Sequence, residues 1–169
     1  MSLLRKDRWQ SIENLDLLEG GNNYFKVLEA SLVGAKKSIY LEAYIFSNDE
    51  QAKRIANLLC QAASKGLDVK VILDWLGSSN FSFSQDFLKS GVQLVHYNPS
   101  WFGRFGFSRT HRKLVVIDES QAFVGGINVC ADNLTSDGEA LNGIRWDLAL
   151  HATGAIVEKV HATFLRQWQ

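Results

Sequence analysis

The run of apolar side chains at residues 38–46 (SIYLEAYIF) is the feature that most constrains the fold. Such a run is typical of a central strand that is covered on both faces. Further strand-like segments lie at residues 69–75 and 92–97, and helical patterns separate them. Strands that alternate with helices of this length favour parallel pairing. We therefore expect an α/β fold, a three-layer α/β/α sandwich with a mostly parallel mixed sheet.

The apolar residues between these strands recur at helical spacing, which predicts amphipathic helices. Asn22 or Asn23 is the expected cap of the first helix, and residues 47–49 (SND) supply the cap of the second. No repeat or linker interrupts the 169 residues, so we expect residues 1–169 to form a single domain. The inward stripes of the first, second and last helices are Phe25, Leu28, Leu32 and Ala35; Ile55, Leu58, Leu59 and Ala62; and Val157, Val160, Phe164 and Trp168.

The charges of the chain balance, because Lys plus Arg and Asp plus Glu number 18 each. No overall field attracts nucleic acid or anionic lipid, so any anion site must be local. Cys60 and Cys130 lie far apart without metal-ligand spacing, and we interpret them as reduced thiols of a cytosolic protein. No run approaches the roughly 20 apolar residues that a membrane span requires. We expect a soluble or peripheral protein.

The stretch at residues 110–128 (THRKLVVIDESQAFVGGIN) carries the most concentrated chemistry in the chain. An apolar strand at residues 114–117 is followed by a short polar turn and a returning strand at residues 122–124. Residues two apart in a strand point the same way, so His111 and Lys113 are expected on one face.

The end of the returning strand offers a hollow for an anion. At Gly125 and Gly126 only hydrogen fills the side-chain position, so an anion can approach the backbone closely. Asn128 can offer a neutral amide donor to the same place. An imidazole, an ammonium and an amide that converge on this hollow suit a phosphate group. The alternative is an ordinary turn at the two glycines and a strand end at Asn128.

The spacing His-x-Lys-x4-Asp-x6-Gly-Gly-x-Asn resembles the signature of the phospholipase D superfamily. The segments at residues 24–46, 65–79, 122–133 and 145–169 are also similar to the amino-terminal half of a bacterial cardiolipin synthase. The resemblance covers the chain from about Gly20 to its end and implies a phospholipase D-like half.

The resemblance implies a role for each residue that matches the catalytic signature. His111 matches the nucleophile that attacks phosphorus and forms a covalent phospho-histidine. Lys113 and Asn128 match the residues that hold the non-bridging oxygens, so neither a metal nor another cofactor is required. Asp118 completes the signature, and we expect it to brace the turn through backbone hydrogen bonds and stay off the phosphate. Asp147 matches the carboxylate that accepts a hydrogen bond from the nucleophilic imidazole.

Other titratable residues have weaker interpretations. Arg145 is the alternative partner of Asp147 on a strand expected at residues 145–151. Glu42 is a carboxylate in an otherwise apolar strand, where burial without a partner is costly. It marks either a polar edge of the site or the outer end of the strand. The remaining histidines lack a lysine two residues on, and we expect structural or surface roles for His96, His151 and His161.

A loop at residues 98–109 precedes the signature and mixes aromatic with arginine side chains. Arg104 and Arg109 are candidates for binding substrate phosphates. In a phospholipid enzyme such a loop meets the bilayer interface, and in a nuclease it stacks bases. The third interpretation is a loop folded onto its own core. The aromatic residues are Trp101, Phe102, Phe105 and Phe107.

The chain departs from the superfamily pattern because it carries one signature copy, whereas catalysis in the superfamily uses two. The resemblance therefore implies a second half, either in cis beyond Gln169 or in trans through a homodimer. We favour a severed half of a phosphatidyltransferase that makes cardiolipin from phosphatidylglycerol, peripheral at the cytoplasmic face of the cell membrane. A homodimeric nuclease or phosphodiesterase is the second hypothesis, which the balanced charge disfavours. An inactive phosphate-binding half-domain is the third.

Overall fold

The computed structural model describes residues 11–99, 108–135 and 138–169, and within these ranges it contains seven strands and four helices. The strands are β1 (Leu15–Glu19), β2 (Ser38–Ala43), β3 (Asp68–Asp74), β4 (Gln93–Tyr97), β5 (Leu114–Ile117), β6 (Gln121–Gly125) and β7 (Leu148–Thr153). The helices are α1 (Gly20–Gly34), α2 (Glu50–Ser64), α3 (Ser84–Ser90) and α4 (Ile156–Trp168).

The seven strands form one mixed sheet in the order β1-β7-β6-β5-β2-β3-β4. The α/β fold is confirmed, but the expectation of a mostly parallel sheet is wrong. Only β2 with β3 and β3 with β4 pair in parallel, whereas the other pairings are antiparallel. Parallel pairing needs a crossover, which α2 and α3 supply between the parallel strands, whereas β5 and β6 are joined by a tight turn.

Helices cover both faces of the sheet, which confirms the three-layer arrangement. A large core lies beneath α1, α2 and α3 and contains the fully buried Leu28, Ile55 and Phe87. A smaller core lies beneath α4, where Val157 and Phe164 pack against the opposite face of the sheet.

Strand β2 lies between the two cores. Ile39 and Leu41 belong to the larger core and Tyr40 to the smaller, because successive side chains of a strand point to opposite faces. All residues of β2 are buried. The interpretation of residues 38–46 as a central strand is confirmed, although the strand itself ends at Ala43.

Several element ends differ from the sequence-based expectation. Helix α1 begins at Gly20 with Glu19 as its N-cap, so Asn22 and Asn23 lie in its first turn and neither caps it. Asp49 caps α2 as expected, because its carboxylate accepts a 2.8 Å hydrogen bond from the backbone N–H of Ala52.

Strand β1 was not predicted from the sequence. Of its residues only Leu18 is buried, so the apolar pattern that predicts a strand is weak. Its antiparallel pairing with β7, and not its local sequence, identifies it as a strand. Among the helices of the described ranges, none combines the length and the apolarity needed to cross a bilayer.

Candidate active site

Several strand ends meet at one edge of the sheet and gather the chemically active side chains. The carboxyl ends of β2, β3 and β6 lie there beside the amino ends of β5 and β7. Glu42 is paired in register with Leu114, and the backbone N–H of Gly125 donates to the carbonyl of Lys113 at 3.2 Å. Residues 110–113 therefore enter the sheet between the ends of β2 and β6.

The side chains of His111 and Lys113 lie together at this edge, which confirms that they share one side of the chain. The Lys113 Nζ lies 3.1 Å from Nδ1 and 3.2 Å from Nε2 of His111, and it donates a 2.9 Å hydrogen bond to the His111 carbonyl oxygen. Lys113 is 6% exposed, whereas His111 is exposed to solvent. A buried ammonium thus stands behind an accessible imidazole.

The ring of Tyr44 contacts both groups, and sequence reasoning missed it. The centroid of the Tyr44 ring lies 4.7 Å from the centroid of the His111 ring and 5.3 Å from the Lys113 Nζ. Gly77 packs against Tyr44, because a Cβ on that glycine would lie closer than 3.0 Å to the tyrosine ring and carbonyl oxygen. The available signal was the position of Tyr44 two residues beyond Glu42, inside the apolar run.

The charge of Lys113 is tuned by two opposing effects. Burial lowers the pKa of its ammonium below the ordinary value, and the negative charge of Asp147 raises that pKa part of the way back. The Asp147 carboxylate is held in place by a 2.7 Å hydrogen bond from the backbone N–H of Leu148. Asp147 therefore favours the charged form of Lys113.

The expected hydrogen bond from His111 to Asp147 is absent among the described residues, where the imidazole contacts Lys113 instead. Strand β7 begins at Leu148 and not at residue 145, and Asp147 lies immediately before the strand with its carboxylate beside Gly126. The role of Asp147 in orienting the imidazole stays a prediction.

Arg145 is not the partner of Asp147 either. Its guanidinium donates to the Cys130 Sγ at 3.0 Å and to the carbonyl oxygen of Leu134, so the side chain points into the protein. The residues on either side of Arg145 point outward, since Ile144 is 75% and Trp146 is 72% exposed.

Gly125 and Gly126 are required by close packing. A Cβ on Gly125 would lie closer than 3.0 Å to the backbone of Leu148 and Ala149, and one on Gly126 would meet the Asp147 carboxylate at a similarly short distance. The groups that approach these glycines closely therefore belong to the chain itself. Contact of either glycine with a substrate anion stays a prediction.

Asn128 is anchored next to Tyr44. Its Oδ1 accepts a 3.1 Å hydrogen bond from the backbone N–H of Ile45, and the side chain is half-buried. Because the oxygen is engaged, the NH₂ group is the end that can donate to a phosphate oxygen. That contact stays a prediction.

Asp118 lies at the far end of β5 from Lys113. Its carboxylate accepts backbone hydrogen bonds of 2.7–2.9 Å from residues 36–38, so the expected backbone hydrogen bonds are present but brace the segment before β2 and not the turn after β5. Burial raises its pKa, but these hydrogen bonds outweigh burial and hold the pKa below its ordinary value. At about 3.3 Å per strand residue, β5 separates it from Lys113 by on the order of 15 Å. Asp118 thus belongs to the signature without contacting Lys113.

Glu42 lies at the polar edge of the candidate site. Of its two interpretations, the structure therefore favours this one over an outer end of the strand. The Glu42 Oε1 accepts hydrogen bonds from the hydroxyl of Thr110 and, at 2.9 Å, from the Nε of Arg112. Arg112 also donates a 2.6 Å hydrogen bond to Gln167 of α4. Sequence reasoning singled out Glu42 but missed Thr110 and Arg112, which flank His111.

Of the two arginines expected to bind substrate, Arg104 lies outside the described residues, as do the aromatic residues of its loop. The Nη1 of Arg109 donates a 2.9 Å hydrogen bond to the carbonyl of Ser108. Phosphate binding by either arginine stays a prediction. The remaining histidines pack against aromatic rings, as expected of structural residues; the pairs are His151 with Phe123, His161 with Tyr40, and His96 with Phe81.

An α/β sandwich whose edge joins an accessible imidazole to a buried ammonium is the architecture of a phospholipase D-like domain. The family model described as cardiolipin synthase, PLD-like domain, matches residues 28–168. The chain belongs to this family.

Curated relatives carry the same family name. Cardiolipin synthase B of Escherichia coli (strain K12) is 34% identical in an alignment of 161 residues that covers 92% of this chain and 38% of that protein. The probable cardiolipin synthase YwiE of Bacillus subtilis (strain 168) is 29% identical over 162 residues, covering 92% of this chain and 32% of that protein. The chain therefore spans about a third of the length of these relatives.

Solved structures show the same fold at lower identity. Nuc, a phospholipase D family member from Salmonella typhimurium, superposes with a TM-score of 0.68 at 19% identity, covering 92% of this chain and 93% of that chain. Phosphatidylserine synthase of Haemophilus influenzae Rd KW20 also gives a TM-score of 0.68 at 19% identity, covering 89% of this chain and 35% of that chain.

Proposed function

We propose that this domain is one half of a phosphatidyltransferase that forms cardiolipin from phosphatidylglycerol through a phospho-histidine at His111. The observation that carries the proposal is the contact of His111 with Lys113, whose buried ammonium lies within 3.2 Å of both imidazole nitrogens. The relatives named cardiolipin synthase support a lipid substrate.

In the first step, a ring nitrogen of His111 attacks the phosphorus of phosphatidylglycerol. A nitrogen–phosphorus bond forms, the phosphorus–oxygen bond to the glycerol headgroup breaks, and the departing oxygen takes up a proton. Negative charge builds on the non-bridging oxygens, where the ammonium of Lys113 and the amide of Asn128 stabilise it. A protein nucleophile thus divides one difficult displacement into two easier ones.

In the second step, a hydroxyl of a second phosphatidylglycerol attacks the phosphorus, loses its proton and displaces His111. The group that gives the first proton and takes the second is expected in a second signature copy, because this chain has one. We propose that this copy lies in cis, and the 38% coverage of the Escherichia coli relative supports this proposal.

The test uses the full-length protein that carries this domain, assayed for cardiolipin and free glycerol in phosphatidylglycerol vesicles. We expect His111→Asn to abolish both products, and the wild-type enzyme quenched with denaturant at neutral pH to carry a phosphatidyl group on His111 by mass spectrometry. His151→Asn is the matched control, because that imidazole stacks on Phe123 within the fold. Cardiolipin formation by folded His111→Asn would exclude the proposed nucleophile.

We propose further that the domain contacts the membrane peripherally through Ile144 and Trp146, at the cytoplasmic face that its free thiols favour. Both side chains are more than 70% exposed and lie within the three residues before Asp147. Tryptophan favours the headgroup level of a bilayer. The inward contacts of Arg145 hold the loop so that its neighbours point outward.

Sedimentation with phosphatidylglycerol vesicles tests this contact. We expect Ile144→Ser and Trp146→Ser each to lower the bound fraction, because less apolar surface enters the interface. Leu88→Ser is the matched control, since Leu88 is also 75% exposed but lies on α3. Equal binding by all three variants would assign the contact to another surface.

Assembly of two copies in trans is the main alternative, and one observation favours it. Nuc and the Helicobacter pylori protein NucT are covered over 93% and 95% of their lengths, so chains of about this size exist with this fold. Sedimentation equilibrium separates the cases: a stable dimer supports a homodimeric phosphodiesterase, and a monomer supports the half of a two-copy enzyme. Binding of inorganic phosphate without turnover of lipid or nucleic acid by the full-length protein would indicate an inactive half-domain.

A further inference from the structure

We propose that Glu42 is a positioning residue for His111 and acts through a clamp formed by Glu42, Thr110 and Arg112. The inference rests on the proposed function, in which His111 is the nucleophile. It identifies what holds that residue in place.

The clamp acts on both neighbours of His111. One oxygen of Glu42, Oε1, accepts the hydroxyl of Thr110 and the Nε of Arg112. Residues 110–113 precede β5 and lie outside the strand, so the sheet ladder alone does not fix them. A single carboxylate oxygen thus ties down the chain on each side of the nucleophile.

Asp74, at the end of the neighbouring strand β3, supports the same segment. Its Oδ2 accepts a 2.9 Å hydrogen bond from the backbone N–H of Thr110, and its Oδ1 accepts one of 2.9 Å from Gly77. Gly77 in turn packs on Tyr44, against which the His111 ring lies. The ends of β2 and β3 therefore confine the imidazole from two directions.

The burial of Glu42 argues against a role in stability alone. The residue is 1% exposed, and among the described residues its Oε2 has no hydrogen-bond partner. A buried carboxylate with one unpaired oxygen is costly, and apolar residues often replace buried ion pairs without loss of stability. A carboxylate at this position is explained by the two neighbours of His111 that it holds.

Position matters here because the attacking nitrogen has to lie about 3–3.5 Å from phosphorus, and a shift of about 1 Å can reduce the rate on the order of 100-fold. In the full-length protein, we expect Glu42→Ala to lower kcat for cardiolipin formation by about 10- to 100-fold, with KM changed less than about twofold. A purely structural role would lower the amount of folded enzyme but leave kcat per folded enzyme at the wild-type value, so the rates are normalised to the folded fraction measured by circular dichroism.

A second readout does not depend on turnover. The His111 ring lies 4.7 Å from the Tyr44 ring, so its proton chemical shifts contain a ring-current contribution. In NMR spectra of the 169-residue chain, we expect Glu42→Ala and Thr110→Val to move the His111 ring resonances toward random-coil values. The resonances of the other three histidines are expected to stay in place, since they pack on other rings.

Two further variants complete the test. Thr110→Ser keeps the hydroxyl and is expected to preserve both the His111 shifts and kcat. Asp68→Asn removes a carboxylate from β3 outside the clamp and is expected to leave both unchanged. The clamp is refuted if folded Thr110→Val behaves like the wild type, or if Thr110→Ser is as impaired as Thr110→Val. If the clamp variants move His111 while His111→Asn still makes cardiolipin, the proposed role of His111 as nucleophile fails and the clamp stands.

Discussion

Lys113 and Asp118 lie at opposite ends of β5, with the Lys113 ammonium against His111 and the Asp118 carboxylate on the backbone of residues 36–38. The signature spacing therefore joins two different tasks through one buried strand. Lys113 contacts a residue of the candidate site, whereas Asp118 fixes a segment of the backbone.

We expect Lys113→Met in the full-length protein to lower kcat/KM for cardiolipin formation by about 100- to 1000-fold, because the non-bridging oxygens lose their charged donor. Methionine preserves the apolar stem, and removing a buried charge is expected to leave the free energy of unfolding unchanged or higher. Initial rates and urea denaturation measure the two effects. A loss of less than about tenfold would contradict the oxyanion role of Lys113.

Asp147→Asn is expected to lower the pKa of Lys113 further, because Asp147 opposes the effect of burial on that pKa. Lys113 loses its charge as the pH rises through its pKa, so the alkaline limb of the rate–pH profile moves to lower pH in the variant. The profile is measured at saturating phosphatidylglycerol, with the exposed Asp16→Asn as control. An alkaline limb at the wild-type pH would mean that Asp147 does not act on Lys113.

Asp118→Asn is expected to lower the free energy of unfolding at pH 7 by on the order of 2 kcal/mol, because three backbone donors lose a charged acceptor. The folded-state pKa of Asp118 is lowered. The stabilisation of the fold by the Asp118 carboxylate is therefore complete when the pH is above the unfolded-state pKa of about 3.9, and it is lost as the pH falls through the folded-state pKa. In urea denaturation between pH 2 and 7, the free energies of unfolding of the wild type and Asp118→Asn are expected to converge at the acid end of this range. A difference that stays constant with pH would exclude the charge as its source.

Gly126→Ala is expected to displace the Asp147 carboxylate, because its Cβ would lie closer than 3.0 Å to those oxygens. We expect a lower melting temperature and the same alkaline shift as in Asp147→Asn. Gly143→Ala is the matched control, since a Cβ there meets nothing within 4 Å. A variant that matches the Gly143→Ala control in both measurements would mean that the backbone absorbs the methyl group without moving Asp147.

The sequence predicted the elements whose patterns are local. Strand β2 is mostly apolar because it is buried on both faces, and Asp49 caps α2 through a hydrogen bond to a residue three positions away. Strand β1 was beyond such reasoning, since its pairing with β7 joins residues that are far apart in the chain. The prediction of a mostly parallel sheet was wrong for a similar reason. Which strands become neighbours depends on long-range pairing and not on the order in which strand and helix patterns follow one another in the sequence.

The sequence by itself determined which chemical groups are present and that His111 and Lys113 point the same way, because alternation along an extended chain is a local property. Only the tertiary structure decided that Tyr44 lies against both, that Asp147 faces Lys113 and not His111, and that Glu42 holds the neighbours of His111. Each of these contacts joins residues that lie on different strands or at different strand ends. Their distances depend on sheet register and burial, which no local pattern encodes.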